Sequence, residues 1–135
     1  MDLTKAIAIA GSGMQAQSAR LTVIAENLAN QETTGATPGA DPYRRKTISF
    51  SDVLDPTTGV NLVEAQPPSE DQSAFPLRYD PANPAANAAG YVKVPNVNTF
   101  IEMEDMRDAE QSYSANLQVL SISRSMLTRV IGMLK

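Results

Sequence analysis

The stretch LTVIAENLANQETTG, residues 21–35, runs as a helix into a stop. Leu21, Ile24 and Leu28 recur at three- and four-residue steps, while Asn30 and Gly35, on either side of Glu-Thr-Thr, close the turn. An apolar seam on a helix has to be covered. Residues 31–98 do not supply the cover as a second long helix, because all nine prolines fall there: Pro38, Pro42, Pro56, Pro67, Pro68, Pro76, Pro81, Pro84 and Pro95. An interior proline costs a helix roughly 3 kcal/mol.

Followed upstream, the seam takes in Leu3, Ile7, Ala10, Met14 and Gln17 before reaching Leu21, Ile24 and Leu28. Gly11 and Gly13 weaken this helix by roughly 1 kcal/mol each against Ala. The matching seam lies at the other end of the chain. Thr99-Phe100-Ile101-Glu102 has the T-x-x-E spacing of a capping box, which predicts a long helix starting near Thr99. Glu102, Glu104, Asp105, Asp108 and Glu110 crowd its first turns, and Arg124, Arg129 and Lys135 come later, the polarity that suits the helix dipole. One stripe reads Met103, Met106, Glu110, Tyr113, Leu117, Leu120, Arg124, Leu127, Ile131 and Leu134. A second, Val119, Ile122, Met126, Val130 and Met133, lies on another face. A helix apolar on two sides has to bury both, so the first stripe is expected to pair with the N-terminal seam and the second to face other subunits.

The expected fold class is therefore mainly α (α+β): long N- and C-terminal helices packed as a coiled-coil-like pair around a small, loop-rich β insertion. The segments are 1–34 for the N-terminal helix, 35–98 for the β/loop part and 99–135 for the C-terminal helix. Within the insertion, Thr47–Phe50, Val60–Leu62 and Tyr91–Val94 read as short strands. Gln66–Ala74, QPPSEDQSA, reads as the most mobile segment, polar and without a packing face. Arg44-Arg45-Lys46 beside Tyr43 reads as a solvated face or a source of ion pairs.

The composition weighs against chemistry. There is no histidine and no cysteine among the 135 residues, which removes the commonest general base, the commonest metal ligand and the Ser-His and Cys-His nucleophilic pairs. Glu102, Glu104 and Asp105 gather carboxylates, but within one helical turn rather than across a cleft, as a first turn wants for its dipole. Ser12, Ser18 and Ser125 have no base, and Gly11 and Gly13 lack the rest of a phosphate loop. The Met103, Met106, Met126 and Met133 side chains are adaptable packing. A net charge of -4 and a pI near 4.7 weigh against nucleic acid. No run approaches the roughly 20 apolar residues that span a bilayer. The start of the chain, MDLTKAIAIAGSGMQAQSA, has a signal-peptide look at Lys5 and the small residues Ala16 and Ala19, yet the same residues keep the helical period.

With these stretches in view, the chain resembles the rod proteins of the bacterial flagellar basal body. SGMQAQSARLTVIAENLANQETTG (Ser12–Gly35) is similar to the N-terminal signature of flagellar axial proteins. DPYRRKTISF (Asp41–Phe50), GYVKVPNVNTFIEMEDM (Gly90–Met106) and SYSANLQVL (Ser112–Leu120) follow in the order of the proximal-rod type. The tyrosine that directly follows Thr-Thr-Gly in many axial proteins is missing, and Ser51–Pro84 matches loosely.

The resemblance implies a structural, non-enzymatic subunit of the basal-body rod, without cofactor, metal or small-molecule substrate. It implies export by the flagellar type III apparatus without a cleaved signal peptide, into the periplasmic space. It further implies polymerisation with copies of itself and other rod proteins into a helical drive shaft and channel, with the terminal helices as its axial core. The competing reading is a soluble helical adaptor or secreted coiled-coil interaction protein that uses the same seam for one partner.

Overall fold

The computed structural model describes residues 3–133, so Leu134 and Lys135 of the sequence reading lie outside the described residues. Two long helices, α1 (Leu3–Ala29) and α2 (Thr99–Met133), pack against each other with a small β-rich region between them in sequence. The expected mainly-α class with a β insertion is the fold observed. That region contains β1 (Lys46–Thr47), β2 (Phe50–Asp55), β3 (Val60–Ala65), β4 (Ser69–Glu70), β5 (Leu77–Tyr79) and β6 (Tyr91–Lys93), which pair as β1–β4, β2–β3 and β5–β6, all antiparallel. Contacts group the described residues into two compact units. One takes α1 through Leu21, Ile48–Pro67 and α2 from Met106; the other takes Thr22–Thr47 and Pro68–Asp105.

The first unit holds the β2–β3 hairpin. Its turn is fixed by Asp55, whose carboxylate accepts hydrogen bonds from the Thr57 amide at 2.9 Å and the Thr58 hydroxyl at 2.6 Å, while the Gly59 amide donates to the Asp55 carbonyl at 2.8 Å. This is turn chemistry in which Asp replaces backbone partners. The hairpin is tied to α1 by the Val63 amide, which donates to the Ser12 hydroxyl at 3.2 Å. Ala10 and Ala16 are buried on α1. Gly13 meets α2 so closely that an added Cβ would sit 2.9 Å from the Asn116 amide nitrogen. The sequence reading counted Gly13 only as a weak point of the helix. Its lack of a side chain is also what lets the two backbones approach.

The second unit holds the β1–β4 and β5–β6 pairs and the facing ends of both helices. Val92 is fully buried, and Tyr79 and Tyr91 meet edge to face at 5.3 Å between ring centroids. Gly90 turns the chain at φ +81, where a Cβ would lie 2.9 Å from the Tyr79 ring. The end of α1 is capped as the opening stretch implies: the Asn30 side chain donates to the Glu26 carbonyl at 2.8 Å, and Thr33 returns two bonds to the Asn30 carbonyl.

The start of α2 departs from the expected capping box. Asn98 is the cap, accepting from the amides of Phe100 at 3.1 Å and Ile101 at 3.4 Å. Thr99 instead donates its hydroxyl to the Gln31 side chain, and Glu102 turns inward to other partners. The reason is tertiary: a capping box needs a free Glu, and here Arg45 and Asn27 claim that carboxylate.

Candidate assembly surfaces and the joint that presents them

In the second unit a polar joint links the end of α1 to the start of α2. Asn27, 1% exposed, uses every hydrogen-bonding position of its amide. Nδ2 donates to the Lys46 carbonyl at 2.8 Å and to Glu102 Oε2 at 3.1 Å, while Oδ1 accepts from the Tyr43 hydroxyl and the Lys46 amide, both at 2.9 Å. Glu102, also 1% exposed, receives the Arg45 guanidinium on Oε1 at 2.6 Å. Arg45 reaches Asp71 at 3.6 Å and Asp105 at 3.7 Å as well. Burial by itself would lower the Arg45 pKa, but its hydrogen bond and charge pairing with Glu102, joined by Asp71 and Asp105, raise it above the ordinary value. Burial likewise pushes the Tyr43 phenol up. The Lys46 ammonium, bonded to Glu26 at 2.9 Å, is raised by that contact.

The triad Arg44-Arg45-Lys46 is thus an ion-pair source within the fold. Arg44 donates to the carbonyls of Asp71 at 3.0 Å and Ser73 at 3.1 Å and stacks 4.2 Å over the Phe75 ring. Asn96 joins in, accepting from the Arg45 amide at 2.8 Å and donating to the Ser73 hydroxyl at 2.8 Å. Ser73's backbone and side chain then hold the Asp71 carboxyl below its usual range, with Arg45 adding to the effect.

These contacts overturn the reading of Gln66–Ala74 as a mobile segment. Ser69 and Glu70 form β4, and the Gln66 amide is bonded to the Ser49 carbonyl at 2.9 Å. A polar segment without an apolar face is still ordered when cations and amides elsewhere claim its carbonyls. Replacing Pro68–Ala74 by a flexible linker of equal length is therefore expected to lower the melting temperature, since Arg45 and Asn96 lose the Asp71 and Ser73 side chains that pair with them and the carbonyls that Arg44 holds are no longer kept in place. An unchanged melt by circular dichroism would count against the anchoring role.

The apolar faces come out as follows. On α1, Ile24 is buried and Leu3, Ile7, Met14, Leu21 and Leu28 are half-buried; Val23 is buried beside them. Gln17 sits in this seam with its Oε1 buried and unpaired among the described residues. On α2, Met106, Tyr113, Leu120 and Leu127 are half-buried, whereas Met103, Leu117 and Ile131 are exposed in the single chain. The fully covered positions are Glu102, Ala109 and Ser123, with Asn116 half-buried, a set spaced by seven residues. Large apolar residues flank that line; Ala109, Asn116 and Ser123 fill it over the later turns, where short side chains suit a close approach of helix backbones, and Glu102 occupies its start as part of the polar joint. The pattern of large residues alone does not mark them; the seven-residue recurrence of Glu, Ala, Asn and Ser does.

Val119, Ile122, Met126, Val130 and Met133 are all exposed, from 44% at Val130 to 78% at Met133. A run of exposed large apolar residues along one helix face is the mark of an interaction surface. Among the described residues no group of three carboxylates is placed to hold a metal, and no helix is long and apolar enough to cross a membrane.

Comparison with known proteins fits this surface. The family model described as Flagella basal body rod protein matches residues 7–37, and the one described as Flagellar basal body rod FlgEFG protein C-terminal matches residues 88–133. The chain is 51% identical over 133 residues to the flagellar basal-body rod protein FlgC of Agrobacterium fabrum, covering 98% of this chain and 96% of that one. It is 40% identical to the FlgC of Escherichia coli O6:H1, covering 97% of each, and 36% identical to that of Borreliella burgdorferi, covering 100% of this chain and 99% of the relative.

Proposed function

Since this chain belongs to the FlgC family of flagellar basal-body rod proteins, and is a structural subunit of that rod, we propose that it builds the proximal section by polymerising with copies of itself and with other rod proteins. The observation that carries this reading is the second stripe of α2: five apolar side chains, Val119 to Met133, left uncovered by the chain's own fold. A surface of this kind needs a neighbour, and a neighbour placed head to tail rather than in a closed pair extends into a filament.

In this reading the terminal segments 1–34 and 99–135 form the axial core of a helical shaft with a central channel, and 35–98 stands outside it. The intrachain seam of Leu3, Ile7, Met14, Leu21, Ile24 and Leu28 with Met106, Tyr113, Leu117, Leu120, Leu127 and Ile131 holds the helices together, and Leu117 and Ile131, exposed in the single chain, gain cover on assembly. The subunit travels through the type III export apparatus to the periplasmic space, keeps its N-terminus, and does no catalysis.

The test is location. An epitope-tagged copy in cells deleted for their own is expected in purified, detergent-washed basal bodies, with density assignable to the rod by electron microscopy. An adaptor would wash away, and its absence from the axial structure would end this reading.

A further inference from the structure

The first unit carries a groove of about 530 Å³ between α1 and the β2–β3 hairpin. Ala16 and Ala19 form its helical wall, and Val53, Leu54, Pro56 and Leu62 its hairpin wall. Its volume lies within the roughly 300–1,000 Å³ typical of pockets that enclose a compact ligand. Val53 and Leu54, both lining it, are 42% and 63% exposed, so apolar surface along the groove is left open.

The groove is also charged in one sense. From Phe50 to Ala65 the only charged residues are Asp52, Asp55 and Glu64, and the last two line the groove. The hydrogen bonds from Thr58 and Thr57 hold the Asp55 carboxyl below the usual range, so it stays ionised. The outward stripe of α2 is charged in the other sense. From Gln111 to Met133 the only charged residues are Arg124 and Arg129, and Arg129 directly precedes Val130 at the edge of the stripe. Val119, Ile122, Met126, Val130 and Met133 follow steps of three and four, the anchor pattern of a helix laid in an apolar groove.

From this match we infer that the α1–hairpin groove of one copy seats the C-terminal stripe of α2 from a second copy. The contact is heterologous: groove and stripe are different surfaces, so each copy gives one and receives the other, and the contact propagates unless its rotation closes a ring. Asp55 and Glu64 face Arg129 at the rim, which fixes the direction in which the helix lies and rejects an acidic helix.

The inference rests on the reading that copies meet in the rod, and the experiment separates the two. The chain has no cysteine, so single cysteines report without background. Two differently tagged forms, one Leu54→Cys and one Met126→Cys, are produced together, basal bodies are purified, and a short bis-maleimide is added. Both sites are half-exposed or more, and Val53→Cys with Val130→Cys is a second pair should either variant fail to incorporate. The expected result is a product of two-chain mass carrying both tags, reduced several-fold when Glu64→Lys is added to the Leu54→Cys chain. Basal bodies that contain both variants but yield no doubly tagged product, or yield only products with another rod protein, overturn the pairing and leave rod membership standing. Absence of even the unsubstituted chain from basal bodies would strike the rod reading itself.

Discussion

Glu102→Ala is expected to destabilise the folded chain by about 3–5 kcal/mol, the range for removing one partner of a buried ion pair. The carboxylate is 1% exposed and takes both the Arg45 guanidinium and the Asn27 amide, so its loss strands a partly buried cation and a buried donor at once. Among the described residues Arg45 then keeps Asp71 and Asp105, at 3.6 and 3.7 Å, which are looser contacts. Glu102→Gln keeps an acceptor in place and should cost less. Replacing the pair together, Arg45→Met with Glu102→Leu, should recover most of the loss, because the desolvation penalty of both charges goes with them. Urea unfolding followed by far-UV circular dichroism gives all three numbers. A loss below 1 kcal/mol for Glu102→Ala would mean that the joint behaves like a surface pair.

Ile122→Asp and Val130→Asp are each expected to leave a folded, soluble chain that fails to enter the rod. Both side chains are about half-exposed in the single chain, so a charge there does little to its fold, yet it places a carboxylate in the surface offered to a neighbour. The burial such a side chain has left to gain is roughly half of the 1.5–3 kcal/mol for a whole one, and a carboxylate in its place has to be desolvated as well, so the contact weakens on the order of 10-fold or more. Leu120→Asp should behave differently, since Leu120 is half-buried on the inner side of α2, and a charge there damages fold and assembly together. The comparison needs circular dichroism of the purified variants beside their recovery in basal bodies. Normal incorporation of both outer variants would remove the stripe from the assembly surface.

Much of this architecture can be read from periodicity. The breaks at Asn30 and Gly35, the proline-bearing middle and the apolar steps from Leu3 to Leu28 predict two helices and a β insertion, and that is the fold. The strands at Val60–Ala65 and Tyr91–Lys93 follow alternation that is visible locally. The cap at Asn98 was obscured because Thr99 and Glu102 make an equally good local pattern, and only Arg45 and Asn27, distant in sequence, decide between them. Order in Ser69–Ser73 was hidden for the same reason: its partners Arg44, Arg45 and Asn96 lie 23 to 29 residues away for the longest-range bonds to it.

The amino-acid sequence by itself determined the two long helices, the proline-bearing stretch between them and the presence of an apolar face too many on α2, since these depend on propensity and spacing along the chain. Tertiary structure alone decided which face each helix turns inward, that Ala109, Asn116 and Ser123 rather than their larger neighbours fill the line of close approach, and that Asn27, Arg45 and Glu102 form one joint. The physical reason is that a hydrogen bond or a close backbone approach depends on which distant groups arrive at the same place. A buried carboxylate such as Glu102 is tolerable only when a cation and an amide meet it there, and no stretch of sequence around it announces that they will.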